Sequence, residues 1–201
     1  MKRRGILFVI SAPSGAGKST ICSSLRQTAD TVYSVSCTTR PPRAGEINGE
    51  DYHFMDVEEF KKHIAADEFL EYANVHGRYY GTLRQTIVDY LLNGIDVLVD
   101  IDVQGAANIR QSTDPFIQDS LADIFIMPPS LDELRIRLLK RGTETEEQIE
   151  YRLTTAATEM KCWRDYRYTI ISGSMEEDLQ KFRAITRAER YLSRRIVTLE
   201  D

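Results

Sequence analysis

Ile6-Leu7-Phe8-Val9-Ile10-Ser11, followed at once by Ala12-Pro13-Ser14-Gly15-Ala16-Gly17-Lys18-Ser19-Thr20, is the stretch that decides the fold. Its first part is an unbroken apolar run ended by a serine, the pattern of a strand buried on both faces. In the second part, small residues and two glycines let backbone N–H groups turn inward around an anion. A helix beginning near Lys18 adds the positive end of its dipole. Lys18 can reach the β- and γ-phosphates of a nucleoside triphosphate, and the Ser19 hydroxyl is a candidate Mg²⁺ ligand. Ala12 departs from G-x-x-x-x-G-K-[ST] at the first glycine, which matters if that position needs an unusual backbone conformation. With Gly17-Lys18-Ser19 intact between strand and helix, the segment from Ala12 to Thr20 reads as a P-loop rather than an ordinary junction.

Outward from this loop, further apolar runs read as strands over Val32–Cys37, Val97–Asp102, Ile124–Met127 and Tyr168–Ile171. Helical stretches lie over Gln104–Gln111, Leu131–Arg141, Glu146–Lys161 and Glu176–Leu192, with a capping box at Ser130-Leu131-Asp132-Glu133. This alternation predicts an α/β fold of three layers around a mostly parallel central sheet. Between Arg40 and Tyr80 the pattern changes. Short aromatic pieces, Tyr52–Met55 and Phe69–His76, flank a helix over Val57–Ala66 that starts with a second capping box, Asp56-Val57-Glu58-Glu59. That region reads as a small α+β insertion. A second irregular region, Arg141–Glu147, turns at Gly142 between two charged helices.

Val97-Leu98-Val99-Asp100-Ile101-Asp102 ends in acids at the carboxyl edge of its strand, where α/β proteins place ligands. Alternation about Ile101 points both carboxylates to one side. Asp100 is the candidate for Mg²⁺ or its water shell, and Asp102 for the acceptor side. Solvated acids capping a strand are the plainer alternative.

The chain has 201 residues, 42% hydrophobic and 28% charged, enough for a single domain with a real core. A formal charge of -5 argues against broad electrostatic binding to nucleic acid. Cys22, Cys37 and Cys162 form no CxxC pair and read as reduced thiols. Lys2-Arg3-Arg4 precedes an apolar run too short for a signal peptide, and no stretch approaches the roughly 20 apolar residues of a membrane span. A cytoplasmic protein is expected, with neither nucleic acid nor membrane as partner.

Four segments then narrow the chemistry: Ser36-Cys37-Thr38-Thr39-Arg40-Pro41-Pro42-Arg43-Ala44-Gly45-Glu46, Gly49-Glu50-Asp51-Tyr52, Tyr79-Tyr80-Gly81-Thr82 and Asp100-Ile101-Asp102-Val103-Gln104-Gly105. In this order they resemble the signature segments of guanylate kinases, from Gly5 to about Glu189. The resemblance implies a P-loop NTPase-type domain over 1–201, with core 1–39, 83–130 and 155–201, a GMP-binding insertion 40–82 and a helical lid 131–154. It implies that Ser36, Arg40, Arg43, Tyr52 and Tyr80 hold the GMP phosphate while Glu71, Thr82 and Asp102 read guanine. Arg137, Arg141 and Arg152 are implied as lid arginines acting with Lys18 in the transfer. The expected partners are GMP and ATP, with Mg²⁺ as cofactor.

Physical chemistry fits these assignments. A nucleoside monophosphate carries close to two negative charges, which suits arginines and phenolic hydroxyls. Guanine offers two adjacent donors to one carboxylate, whereas adenine would leave that carboxylate unpaired. An ionised acceptor phosphate needs no general base, so His53, His63 and His76 are expected to be incidental.

Each residue also has a plainer reading. Arg40 and Arg43 can be solvated loop charges, and Tyr52 and Tyr80 core aromatics. Thr82 fits a helix N-cap, Glu71 an exposed strand charge, and the arginines of 131–154 a solvated helix face paired with Glu146, Glu147 and Glu150. Two rival functions stand beside the kinase: a non-catalytic guanylate-kinase-like protein-binding module, and a kinase of another phosphorylated small molecule. One departure touches the donor side. The family often carries Asn-Asp after the last strand, where this chain reads Ile171-Ser172-Gly173-Ser174.

Overall fold

Leu7–Ser11 lies at the heart of the sheet with every residue buried, as its unbroken apolar run requires. The computed structural model describes residues 2–26, 31–75, 77–142 and 144–197, and of Lys2, Ser19 and Arg141 the backbone only. In chain order the elements are β1 (Lys2–Arg3), β2 (Leu7–Ser11), α1 (Lys18–Arg26), β3 (Val32–Tyr33), β4 (Cys37–Thr38), β5 (His53–Phe54), α2 (Val57–Ala65), β6 (Phe69–Val75), β7 (Arg78–Leu83), α3 (Arg84–Leu92) and β8 (Val97–Asp100). There follow α4 (Val103–Arg110), α5 (Pro115–Ser120), β9 (Leu121–Met127), α6 (Leu131–Arg141), α7 (Glu146–Glu159), a 3-10 turn, β10 (Tyr168–Ile171), α8 (Met175–Arg190), a second 3-10 turn and β11 (Ile196–Val197).

The central sheet runs β10-β9-β2-β8-β3 and is parallel throughout. The pleat of β2 sends Ile6, Phe8 and Ile10 to one face, against Ile21, Leu25 and Phe182 of α1 and α8. Leu7 and Val9 face the other way, against Ile87, Leu91, Ile109 and Ile117 of α3, α4 and α5. Two cores on one sheet make the three-layer α/β fold. Among the described residues no helix is long and apolar enough to cross a membrane.

The strand expected over Val32–Cys37 is two strands in different sheets. Ser34 N still donates to Leu98 O in the central ladder, while Ser36 O already accepts from His53 N. The second sheet, β5-β4-β7-β6, carries α2 on its apolar side, where Phe60 stacks on Phe69 and Tyr79 at 4.4 and 5.3 Å between centroids. Its α2 begins with Asp56 accepting from Glu59 N. The strand expected over Val97–Asp102 stops at Asp100, because Asp102 turns the chain into α4 as its N-cap. His76, at the end of the expected Phe69–His76 piece, lies outside the described residues.

Helices α6 and α7 form a hairpin turned by Gly142 in the left-handed conformation, φ 64°. They bury Leu134, Leu138, Ile149, Leu153 and Ala156 against one another, apart from the sheet's two cores. Ser130 caps α6 by accepting from Glu133 N. Glu133 completes no box; its carboxylate takes Arg137 instead. The reciprocal capping boxes are at Thr145 with Gln148 and at Ser174 with Glu177.

Candidate active site

Gly15 and Gly17 adopt φ of 90° and 98°, so the loop after β2 turns where only glycine is comfortable. Ala12 is buried and has no positive φ, so the missing first glycine leaves the cradle unstrained. Ala16 N donates to Pro13 O at 3.0 Å, and Ser14 N donates to Glu159 Oε2 at 3.0 Å. Lys18 opens α1. Its Nζ donates to Ile101 O at 2.8 Å and is ion-paired with Asp100. Burial alone would lower the Lys18 pKa, but the Asp100 carboxylate more than offsets it and holds the ammonium above its ordinary range. The Ser19 side chain lies outside the described residues.

Beside this loop opens a cavity of about 210 Å³ lined by Lys18, Asp100 and Asp102 on the central sheet's edge and by Ser36, Tyr52, Glu71 and Tyr80 on the second sheet. Asp100 reaches it from the end of β8. Asp102 reaches it as a helix cap, its Oδ1 accepting from Gly105 N at 2.8 Å.

Glu71 and Thr82 are paired across β6 and β7. Glu71 is 5% exposed, and Thr82 Oγ1 donates to its Oε1 at 2.8 Å. Burial pushes the Glu71 carboxyl up to about 7; Thr82 opposes the shift and Asp102 reinforces it. The exposed-charge reading of Glu71 is therefore wrong. So is the capping reading of Thr82, since α3 starts beyond Leu83 with no side-chain cap. A methyl group on Gly105 would stand 2.6 Å from Glu71 Oε2, so a side chain there would push the carboxylate from its place beside α4.

Arg40 is held by a two-pronged pair with Glu46, Nη1 to Oε2 at 2.9 Å and Nη2 to Oε1 at 2.8 Å. Its guanidinium overlies Tyr52 and Phe54 at 5.4 and 5.7 Å. Tyr52 in turn meets Tyr80 edge-on at 6.1 Å. These tyrosines line a cavity and are not core aromatics, and Arg40 is not a free loop charge. Arg40 and Arg43 are not among the lining residues; Arg40 adjoins the cavity through Tyr52. Arg43 has an exposed side chain, while its N–H donates to Glu46 Oε2 at 2.6 Å.

The α6–α7 hairpin rests on the P-loop. Leu138 and Leu134 crowd Gly15 so closely that a Cβ there would stand 2.8 and 3.2 Å from them. Arg137 Nη1 donates to Ala16 O at 3.2 Å and to Ser172 Oγ at 3.0 Å. Arg152 Nη1 donates to Ser14 Oγ at 3.0 Å. Arg135 instead pairs with Glu146 and Glu150 on the hairpin's outer face, as a solvated helix charge does. The Arg141 side chain lies outside the described residues.

A match to the family described as "Guanylate kinase" spans residues 4–189. The protein named guanylate kinase of Maricaulis maris (strain MCS10) is 45% identical over 201 residues, covering all of this chain and 90% of that one. Its namesake in Clostridium perfringens (strain SM101 / Type A) is 44% identical over 189 residues, 93% of this chain and 85% of that one. The crystal structure of guanylate kinase from Anaplasma phagocytophilum superposes with a TM-score of 0.82 at 35% identity, covering all of this chain and 94% of that chain.

The chain belongs to the guanylate kinase family.

Within this guanylate kinase framework, two residues of the site were not singled out by sequence reasoning. Glu46 closes the signature segment that carries Arg40 and Arg43, and it ties both to one carboxylate. Its adjacency to the arginines is the one signal the sequence offered. Gly105 ends the Asp100–Gly105 segment, and its need for a bare Cα became visible only once α4 was seen against Glu71.

Proposed function

We propose that this chain catalyses reversible transfer of the γ-phosphoryl group of ATP to GMP, giving ADP and GDP. The observation that carries the reading is one cavity lined both by the P-loop lysine and by a buried, threonine-held carboxylate, Glu71. A triphosphate seated on the amides of Ala12 to Thr20 would present its terminal phosphate to Lys18. Guanine would give N1–H and its 2-amino group to Glu71, with Thr82 and Asp102 beside them. The GMP phosphate would then meet Ser36, Tyr52, Tyr80, Arg40 and Arg43.

Its phosphate oxygen is already the nucleophile, so these side chains act by position and charge. Arg137, Arg141 and Arg152 would neutralise the equatorial oxygens as charge spreads over them and would shield the site from water. A hydrated Mg²⁺ fits the donor set, since Mg²⁺ keeps most of its waters and takes one or two carboxylates with substrate phosphates. Asp100 offers such a carboxylate at the P-loop mouth and, with the Ser19 hydroxyl, would hold the ion, which supplies charge neutralisation on the phosphates. Lys18 and the two described lid arginines at the P-loop favour an enzyme over a binding module.

An assay of ADP release with GMP, AMP, CMP and UMP tests the reading. GMP should be preferred by at least ~10²-fold in kcat/KM. Comparable turnover with AMP overturns the assignment of Glu71.

A further inference from the structure

Behind Arg137 stands a buried carboxylate that the transfer reaction does not touch. Asp178, in the first turns of α8, is 2% exposed. Its Oδ2 accepts from Ser172 Oγ at 3.0 Å and its Oδ1 from Gly173 N at 2.9 Å. Ser172 is itself 4% exposed and follows the last strand of the sheet. Lys181 reaches Asp178 Oδ1 at 3.5 Å and the carbonyl of Ile171 at 2.8 Å, closing the far side.

Hydrogen-bond chemistry gives this cluster one direction. Arginine has donors only, and an ionised aspartate has acceptors only. A serine hydroxyl has one proton, and Asp178 must take it. The oxygen is then left as the acceptor for Arg137 Nη1. The chain Arg137 to Ser172 to Asp178 therefore has no alternative polarity, and each link strengthens the next in a dry setting. The same guanidinium nitrogen also reaches Ala16 O in the P-loop. Ser172 and Gly173 follow the last strand of the sheet, and the carboxylate that holds them comes from further along the chain, in α8.

We propose that Asp178 is a positioning residue for the donor side of the reaction: through Ser172 it fixes Arg137 against the P-loop. This rests on the role given to Arg137 under the proposed function. Neither Ser172, Asp178 nor Arg137 lines the cavity that holds Glu71, so the acceptor side should not register the change.

The test uses Ser172→Ala, Asp178→Asn and Arg137→Ala, alone and in pairs. Readouts are kcat, KM for each nucleotide, the Kd of a non-hydrolysable ATP analogue by calorimetry, and the melting temperature. Ser172→Ala and Asp178→Asn should each lower kcat/KM for ATP about tenfold, the loss expected for one charged hydrogen-bond link. KM for GMP should stay within about twofold. In the Arg137→Ala background neither change should have a further effect, because the link is already broken. Full additivity with Arg137→Ala, equal damage to both substrates, or unchanged ATP kinetics and analogue binding overturns the inference. A wild-type chain that binds the analogue but does not phosphorylate GMP would instead sink the proposed function, and the analogue Kd series would still decide this one.

Discussion

Glu71 and Thr82 face each other across two strands, and the threonine hydroxyl donates to the carboxyl group at 2.8 Å in a wall closed to solvent. Burial keeps that carboxyl at about 7, above its ordinary 4.5. Below pH 4.5 both folded and unfolded chains hold the proton. As pH rises further, the unfolded chain releases it first, so stability declines until about pH 7 and then levels. The full span corresponds to about 3 kcal/mol. Denaturant titrations at pH 5 and pH 8 should show this decline in the wild type and a flatter profile in Glu71→Gln.

Guanine donors favour the ionised carboxylate, so GMP should bind with release of a proton from Glu71 below about pH 7. Affinity for GMP should then rise with pH up to that point. Calorimetry in buffers of different ionisation enthalpy measures the proton count. Because the GMP phosphate titrates nearby, the deciding quantity is the difference between wild type and Glu71→Gln, and a zero difference removes Glu71 from the base contact.

Glu46 binds the guanidinium of Arg40 and the backbone of Arg43 with the same carboxylate. Glu46→Ala should free both arginines and raise KM for GMP about tenfold, a cost of about 1.4 kcal/mol. The Kd for the ATP analogue should hold, since no described contact links Glu46 to the P-loop. An equal loss at both nucleotides would make Glu46 a general fold residue.

Cys22 lies just behind the P-loop, yet it is 1% exposed, and burial first, then Asp100, pushes its thiol well above the usual range. Burial likewise pushes Cys37 up to about 12. Neither supplies the accessible thiolate that alkylation needs. Iodoacetamide on the native chain should label Cys162, which is partly exposed, and reach the other two only after unfolding. Rapid native labelling of Cys22 with loss of activity would mark it as an oxidation-sensitive position.

What the sequence disclosed was local. The P-loop could be read because strand, turn and helix follow one another within fifteen residues. Tyr168–Ile171 and α6 came out at their observed bounds for the same reason. Val32–Cys37 misled because an apolar pattern does not say which sheet a strand joins. Helix α3 is signalled only by the alternative reading of Thr82 as an N-cap, one residue before the Leu83 that caps it with no side chain, and α5 is too short for a periodic pattern despite Asp114 and Pro115 at its start. The boxes at Thr145–Gln148 and Ser174–Glu177 are local too, each legible as a capping residue with its partner three positions on. Contacts between distant segments, such as Gly105 against Glu71 or Asp178 behind Ser172, leave no periodic trace. The grouping of Glu71, Thr82 and Asp102 comes from resemblance; the structure lines one cavity with Glu71 and Asp102 and sets Thr82 behind Glu71, bonded to it but off the lining.

The small apolar knot of Leu134, Leu138, Ile149, Leu153 and Ala156 gives the α6–α7 pair a core of its own, set beside the sheet rather than woven into it. It meets the P-loop at Gly15 and through polar tethers to Ala16 and Ser14, while the strands keep contacts of their own. The packing of this hairpin is thus separable from the stability of the body, and substitutions can alter one without disturbing the other.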